Sequence, residues 1–135
     1  IEGAKLVGEA FLPHALPAAP TVSASVNGVV TIQWAPGTDL GNCHDSSLIP
    51  GTIPDPATVP VDSWEVTVEP DEDQLEALGL PLRVFTVQLP SNQLSVTVPS
   101  EYLQQYITAG ITTFKFEVGA KAGENQTFTE SNFSP

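Results

Sequence analysis

Three groups of residues in this chain carry side chains suited to chemistry. Cys43, His44 and Asp45 are consecutive, and a thiol beside an imidazole is the starting material for a nucleophile and its base. That pair works only if the ring reaches the sulfur, which neighbours in one chain seldom manage. His14 is the other histidine and lies far upstream, so no Ser/His/Asp or Cys/His set with two usable imidazoles is present. The triplet reads as a solvated loop with an incidental thiol. Asp39, Asn42 and Asp45 offer oxygen ligands for calcium, and Asp55 and Asp62 join them only if the chain folds back. They lack the dense alternating spacing and the glycine of an EF-hand loop. They stand as calcium candidates, with no metal and no cofactor assigned.

The third group is the run Glu69, Asp71, Glu72, Asp73 and Glu76. Paired carboxylates perform acid–base catalysis when a cleft separates their pKa values. These residues fall at a strand end and on an exposed helix, so they read as a solvated charged face. No glycine-rich phosphate loop is present. Asn125-Gln126-Thr127 and Asn132-Phe133-Ser134 match the glycosylation acceptor pattern, the second weakened by Pro135 behind it. No catalytic residue is assigned, and an enzyme is the least favoured reading.

The elements that position these groups follow from composition and period. With 135 residues and 41% hydrophobic content, the chain is long enough for one domain with a real core. Thirteen prolines and ten glycines favour turns over long helices. The net charge of -12 leaves only Lys5, Arg83, Lys115 and Lys121 as basic residues. Such a surface repels phosphate backbones and anionic lipids, which excludes nucleic acid. No run of 18 apolar residues exists, so no membrane insertion is expected. Cys43 is the one cysteine, so no intrachain disulfide forms. The chain opens at Ile1 without a basic-then-apolar segment, so no signal peptide is visible, and either a leader has been removed or the chain is an excised piece of a longer one.

Residues 1–19 read as an N-terminal leader or linker, and residues 20–135 as the folded domain. In the first strand Val22, Ala24 and Val26 share a face, and Asn27-Gly28 signals a hairpin. Val30, Ile32 and Trp34 line the second strand. Residues 37–60 form a long irregular loop with four prolines and three glycines, and loops of that length are more often functional or mobile than neutral. Trp64, Val66 and Val68 point inward on the third strand, with Glu65, Thr67 and Glu69 outward. Residues 71–79 read as a short helix stopped by Gly79. Phe85, Val87 and Leu89 carry a fourth strand; Leu94, Val96 and Val98 a fifth. Residues 100–107 read as one or two helical turns with Ser100 as the cap. The clearest signal is the alternation of Phe114, Phe116, Val118 and Ala120 against Lys115, Glu117, Gly119 and Lys121, the period of a two-sided strand. A turn at Gly123, Glu124 and Asn125 leads into a last strand over residues 126–130. Seven short strands imply two antiparallel sheets face to face, with both tryptophans between them.

Residues 20–133 resemble a fibronectin type III domain, a seven-strand immunoglobulin-like antiparallel β-sandwich. The residues that carry the resemblance are Pro20, the segment VTIQW ending at Trp34, Trp64-Glu65-Val66, and FKFEVGA from Phe114 to Ala120 followed by Gly123. The ending GENQT with Ser131 and Phe133 is similar to such domains in secreted or envelope bacterial proteins. The resemblance implies an all-β domain with one or two short helical segments in loops. It also implies a secreted, periplasmic or cell-envelope setting, and a binding or spacer role toward an unknown protein or polysaccharide. One departure stands out. Phe114 occupies the place of a tyrosine whose hydroxyl ordinarily ties back the preceding connection, so residues 100–110 are expected to be held by packing alone. The 37–60 loop is the expected contact site. The alternative, an accessory carbohydrate-binding module beside a secreted hydrolase, needs exposed aromatics, for which Tyr102, Tyr106, Phe128 and Phe133 are the candidates.

Overall fold

Strand period and turn chemistry set the architecture. The computed structural model describes residues 16–40 and 55–135. Seven strands run through these segments: β1 (Thr21–Val26), β2 (Val30–Ala35), β3 (Ser63–Pro70), β4 (Phe85–Pro90), β5 (Ser95–Val98), β6 (Phe114–Ala122) and β7 (Asn125–Phe133). Two helices interrupt them, α1 (Glu72–Leu78) and α2 (Ser100–Ile107), and a 3-10 turn spans Pro56–Thr58. All strand pairs are antiparallel and form two sheets, ordered β1-β2-β5 and β4-β3-β6-β7.

The inward rows meet in one apolar core. Ile32, Val66, Val68, Phe114, Val118 and Ala120 are fully buried, and no polar or charged side chain among the described residues is buried with them. The ring centroids of Trp34 and Trp64, one from each sheet, lie 6.1 Å apart. Trp64 Nε1 donates to Ser91 O at 3.0 Å, whereas the buried Trp34 Nε1 has no partner among the described residues. Farther along β6, Tyr106, Phe114 and Phe133 continue the aromatic column, with Phe114 stacked on Phe133 at 5.4 Å.

Pro17, Ala18, Ala19 and Pro20 are buried as well. Thr127 Oγ1 donates to Pro17 O at 2.8 Å and Thr129 Oγ1 to Pro20 O at 2.6 Å. These inward-facing threonines lie on an edge strand, where their hydroxyls bond the segment that runs alongside.

α1 forms where its ends are satisfied locally. Asp71 accepts from Gln74 N at 3.0 Å, and Gly79 closes the helix in the left-handed conformation at φ 65°. Gln74 then accepts from Thr112 N and Thr113 N, which ties α1 to the entry of β6.

Three local expectations are corrected. Ser100 does not cap α2: Pro99 holds that position and no side chain bonds the first turn. Leu94 is exposed and lies outside β5, its carbonyl accepting from Trp34 N at 3.0 Å. The last strand is longer than residues 126–130 and reaches Phe133, because β6 supplies ladder partners along its whole length.

The most consequential correction concerns α2, which is not held by packing alone. The Tyr102 hydroxyl shares its proton between Val68 O at 2.9 Å and Arg83 O at 2.7 Å. The Tyr106 hydroxyl donates to Pro81 O at 2.8 Å and accepts from Arg83 N at 2.7 Å. The tether absent at Phe114 is replaced by two phenols on the helix itself, which reach the backbone of Pro81 and Arg83 before β4.

Candidate functional site

The chemically richest surface is the outer face of the four-stranded sheet, and strand parity builds it. Residues facing away from the core are Thr86 and Gln88 on β4, Glu65, Thr67 and Glu69 on β3, Lys115, Glu117, Gly119 and Lys121 on β6, and Gln126, Phe128, Glu130 and Asn132 on β7. The register aligns them in rows: Glu65, Gly119 and Phe128 in one, Thr67, Glu117 and Glu130 in the next. Two lysines are spent on pairs within the face. Lys115 Nζ lies 2.7 Å from Glu69 Oε1 and 4.0 Å from Glu130 Oε2, and Lys121 Nζ lies 3.5 Å from Glu65 Oε2. Gln88 Nε2 adds a bond to Glu65 Oε2 at 3.2 Å.

Glu117 makes none of these ion pairs. It is the direct cross-strand partner of Glu130, and like charges placed opposite each other repel. Partial burial, then the Glu130 charge, raise its pKa above the ordinary carboxylate value, with Lys115 opposing and Glu69 and Glu65 adding to the effect.

Beside this pair stands Phe128, half exposed at 51%. An aromatic opposite a glycine ordinarily folds over it and covers the bare backbone. Here the space over Gly119 is taken by Gln126, whose amide a Cβ at Gly119 would strike. The Phe128 ring is therefore left facing water.

A second surface is an apolar groove of about 530 Å³ between the β1–β2 turn and α2, lined by Val26, Val29, Val98, Pro99, Leu103 and Ile107. Among the described residues, Glu101 is its one charged lining residue.

The sequence candidates are dispersed. Asn42, Cys43, His44, Asp45 and His14 lie outside the described residues. Asp39 is exposed, and its carbonyl accepts from Ala19 N at 2.7 Å. Asp55 caps the 3-10 turn through Ala57 N at 3.1 Å, and Asp62 Oδ2 accepts from Gly123 N at 2.7 Å. No cluster of three or more His, Cys, Asp or Glu with metal-binding geometry occurs among the described residues. The acidic run divides: Glu69 is paired, Asp71 caps, and Glu72, Asp73 and Glu76 are exposed. Of the four aromatics named for sugar stacking, Tyr106 and Phe133 are buried and Tyr102 is half-buried with its hydroxyl bonded inward. Phe128 alone among them is exposed.

Sequence reasoning placed the outward residues of β3 and β6 correctly but did not join them to β7. The signal was present in the Gly123-Glu124 turn, which sets Lys121 opposite Gln126 and so Gly119 opposite Phe128. No helix among the described residues is long and apolar enough to cross a membrane. Compared with known proteins, the chain matches no family model, no curated protein and no solved structure.

Proposed function

We propose that this chain is a non-catalytic binding module of fibronectin type III kind, mediating protein contact in a secreted or envelope protein. The observation that carries the reading is the division of labour in the four-stranded sheet. Trp64, Phe116 and Val118 on its inner face are buried, while its outer face presents an ordered array of carboxylates and one open aromatic ring. A strand scaffold that holds polar groups in fixed rows suits recognition by surface contact. The strand order β1-β2-β5 over β4-β3-β6-β7 supports the family resemblance, and the residues that carried it, Trp34, Trp64, Phe114, Phe116, Val118 and Ala120, all pack in the core. Exposure of Phe128 favours a second reading, in which the same face stacks a sugar.

The test is crosslinking capture by the intact protein from envelope fractions, with the purified domain as competitor. A captured protein displaced by the domain supports the proposal. Displacement unaffected by shortening the 37–60 loop would locate the contact on the sheets instead of that loop. Turnover of a polysaccharide or peptide substrate by the purified domain would overturn the non-catalytic reading.

A further inference from the structure

We infer that the outer face of β4-β3-β6-β7 is a docking site for an arginine-bearing basic polypeptide, whose guanidinium lies on Phe128 and pairs with Glu117 and Glu130. This rests on the binding-module reading and names its surface and partner chemistry. The argument begins with charge. The face sets Glu65, Glu69, Glu117 and Glu130 against Lys115 and Lys121, so it is net acidic in a chain of net charge -12. Both lysines are committed to Glu69 and Glu65. Glu117 and Glu130 face each other across the ladder, and Lys115, bonded to Glu69, reaches Glu130 at 4.0 Å and offsets the Glu117 charge only in part. A second cation at this position removes a repulsion that the free domain carries; partial burial first, and the Glu130 charge second, hold the Glu117 carboxyl above its ordinary pKa.

Arginine fits better than lysine for geometric reasons. Directly opposed strand residues hold their side chains about 5 Å apart, within the span of one planar fork that donates to two carboxylates. Phe128 is two residues from Glu130 on the same face and diagonal to Glu117. Its ring is thus placed for a guanidinium to stack on its surface while paired with both acids. The ring is open to receive it because Gln126, and not Phe128, occupies the space over Gly119. The surroundings are accessible, with the Glu130 side chain 47% exposed and Lys115 36% exposed. A neutral sugar would gain the ring but would leave the facing carboxylates unrelieved. An anionic sugar is repelled.

The experiment uses the intact domain with a short peptide alternating glycine and arginine, its lysine counterpart, and neutral oligosaccharides, each followed by amide chemical shifts. The expected result is saturable movement of the Glu117, Phe128 and Glu130 signals, with the arginine peptide bound about fivefold tighter than the lysine one. Phe128→Ala, and separately Glu117→Gln with Glu130→Gln, should each weaken the arginine peptide about fivefold or more. Asp73→Asn with Glu76→Gln on α1 makes the same charge change without an aromatic neighbour and should alter affinity by less than about twofold. All three variants alter exposed or partly exposed side chains, and amide dispersion checks that they remain folded. Equal weakening by the α1 control would reduce the effect to diffuse attraction and overturn the site. Movement of Phe128 with the oligosaccharide and not with the peptide would overturn it in favour of sugar. If the peptides fail while the domain still displaces a captured protein, the inference falls and the binding-module reading stands. If displacement fails as well, both fall.

Discussion

The two ends of the β3–β6 pair solve the same problem with different aromatics. At one end Trp34 and Trp64 lean together across the sheets; at the other, Tyr102, Tyr106, Phe114 and Phe133 form a continuous column. Each end buries large rings, and each must find partners for the polar atoms those rings carry. The tyrosine end succeeds completely. A phenol places its hydroxyl at the tip of the ring, and both tips reach the backbone of residues 81–83. The tryptophan end succeeds for one ring among the described residues. An indole N–H projects from the side of the ring, where Trp64 meets Ser91 O and Trp34 finds no partner among the described residues. Reach from the core to the surface backbone is what separates the two ends.

Substitutions at the two ends test this contrast. Trp64→Ala should have the largest effect, about 3–5 kcal/mol of stability lost, because it opens a cavity at the centre of the core. Denaturant unfolding checks it, and a loss below about 1 kcal/mol would mean that this end is not packed as described. Tyr106→Phe should cost about 2 kcal/mol, since it strands both Pro81 O and Arg83 N. Amide exchange should then accelerate first at residues 81–83 and in α2. Uniform acceleration across both sheets would show that the phenol does not act as a local tether.

Alkali separates the ends by a different route. Burial, reinforced by Tyr106, raises the Tyr102 pKa well above the ordinary phenol value. The folded state therefore holds that proton more tightly than the unfolded state does. Its contribution is fully present below about pH 10, the unfolded value, and is lost as pH rises above it. Unfolding free energy should fall through that range, and the fall should flatten in Tyr102→Phe. The lysine at Lys115, also raised by its bond to Glu69, loses its contribution in the same alkaline range, and its pair adds equally to both proteins. An unchanged slope in the variant would remove Tyr102 from the account.

The smallest effect should be Trp34→Phe. It removes a buried donor that has no partner among the described residues, so the lost ring area is offset by the lost desolvation cost. A net change within about 1 kcal/mol is expected by thermal or denaturant unfolding. A loss matching Trp64→Ala would show that the Nε1 donor is engaged.

Much of this was legible in the order of residues. Alternation in β6 identified its buried and wet sides, and Asp71 and Gly79 marked both ends of α1, because those signals depend on neighbours a few positions apart. Ser100 and Leu94 misled for the complementary reason. Leu94 sits outside β5 with its carbonyl accepting from Trp34 N, a contact across more than fifty residues of chain, and α2 is entered at Pro99 without any side-chain cap. The exposed aromatic was legible only as one of four candidates. Choosing Phe128 required knowing that Tyr102 and Tyr106 turn inward to residues 81–83 and that Phe133 stacks on Phe114.

By itself the amino-acid sequence determined the strands, the acidic surface and the two-faced character of β3 and β6, since each is set by local period or by composition. Tertiary structure decided which outward residues become neighbours, the Gly123-Glu124 turn being the one local mark of the β6–β7 register. Glu117 and Glu130 are thirteen positions apart and owe their opposition to the hairpin register; Phe128 owes its exposure to Gln126 standing over Gly119. Register is a property of two strands held together, and one strand's sequence does not contain it.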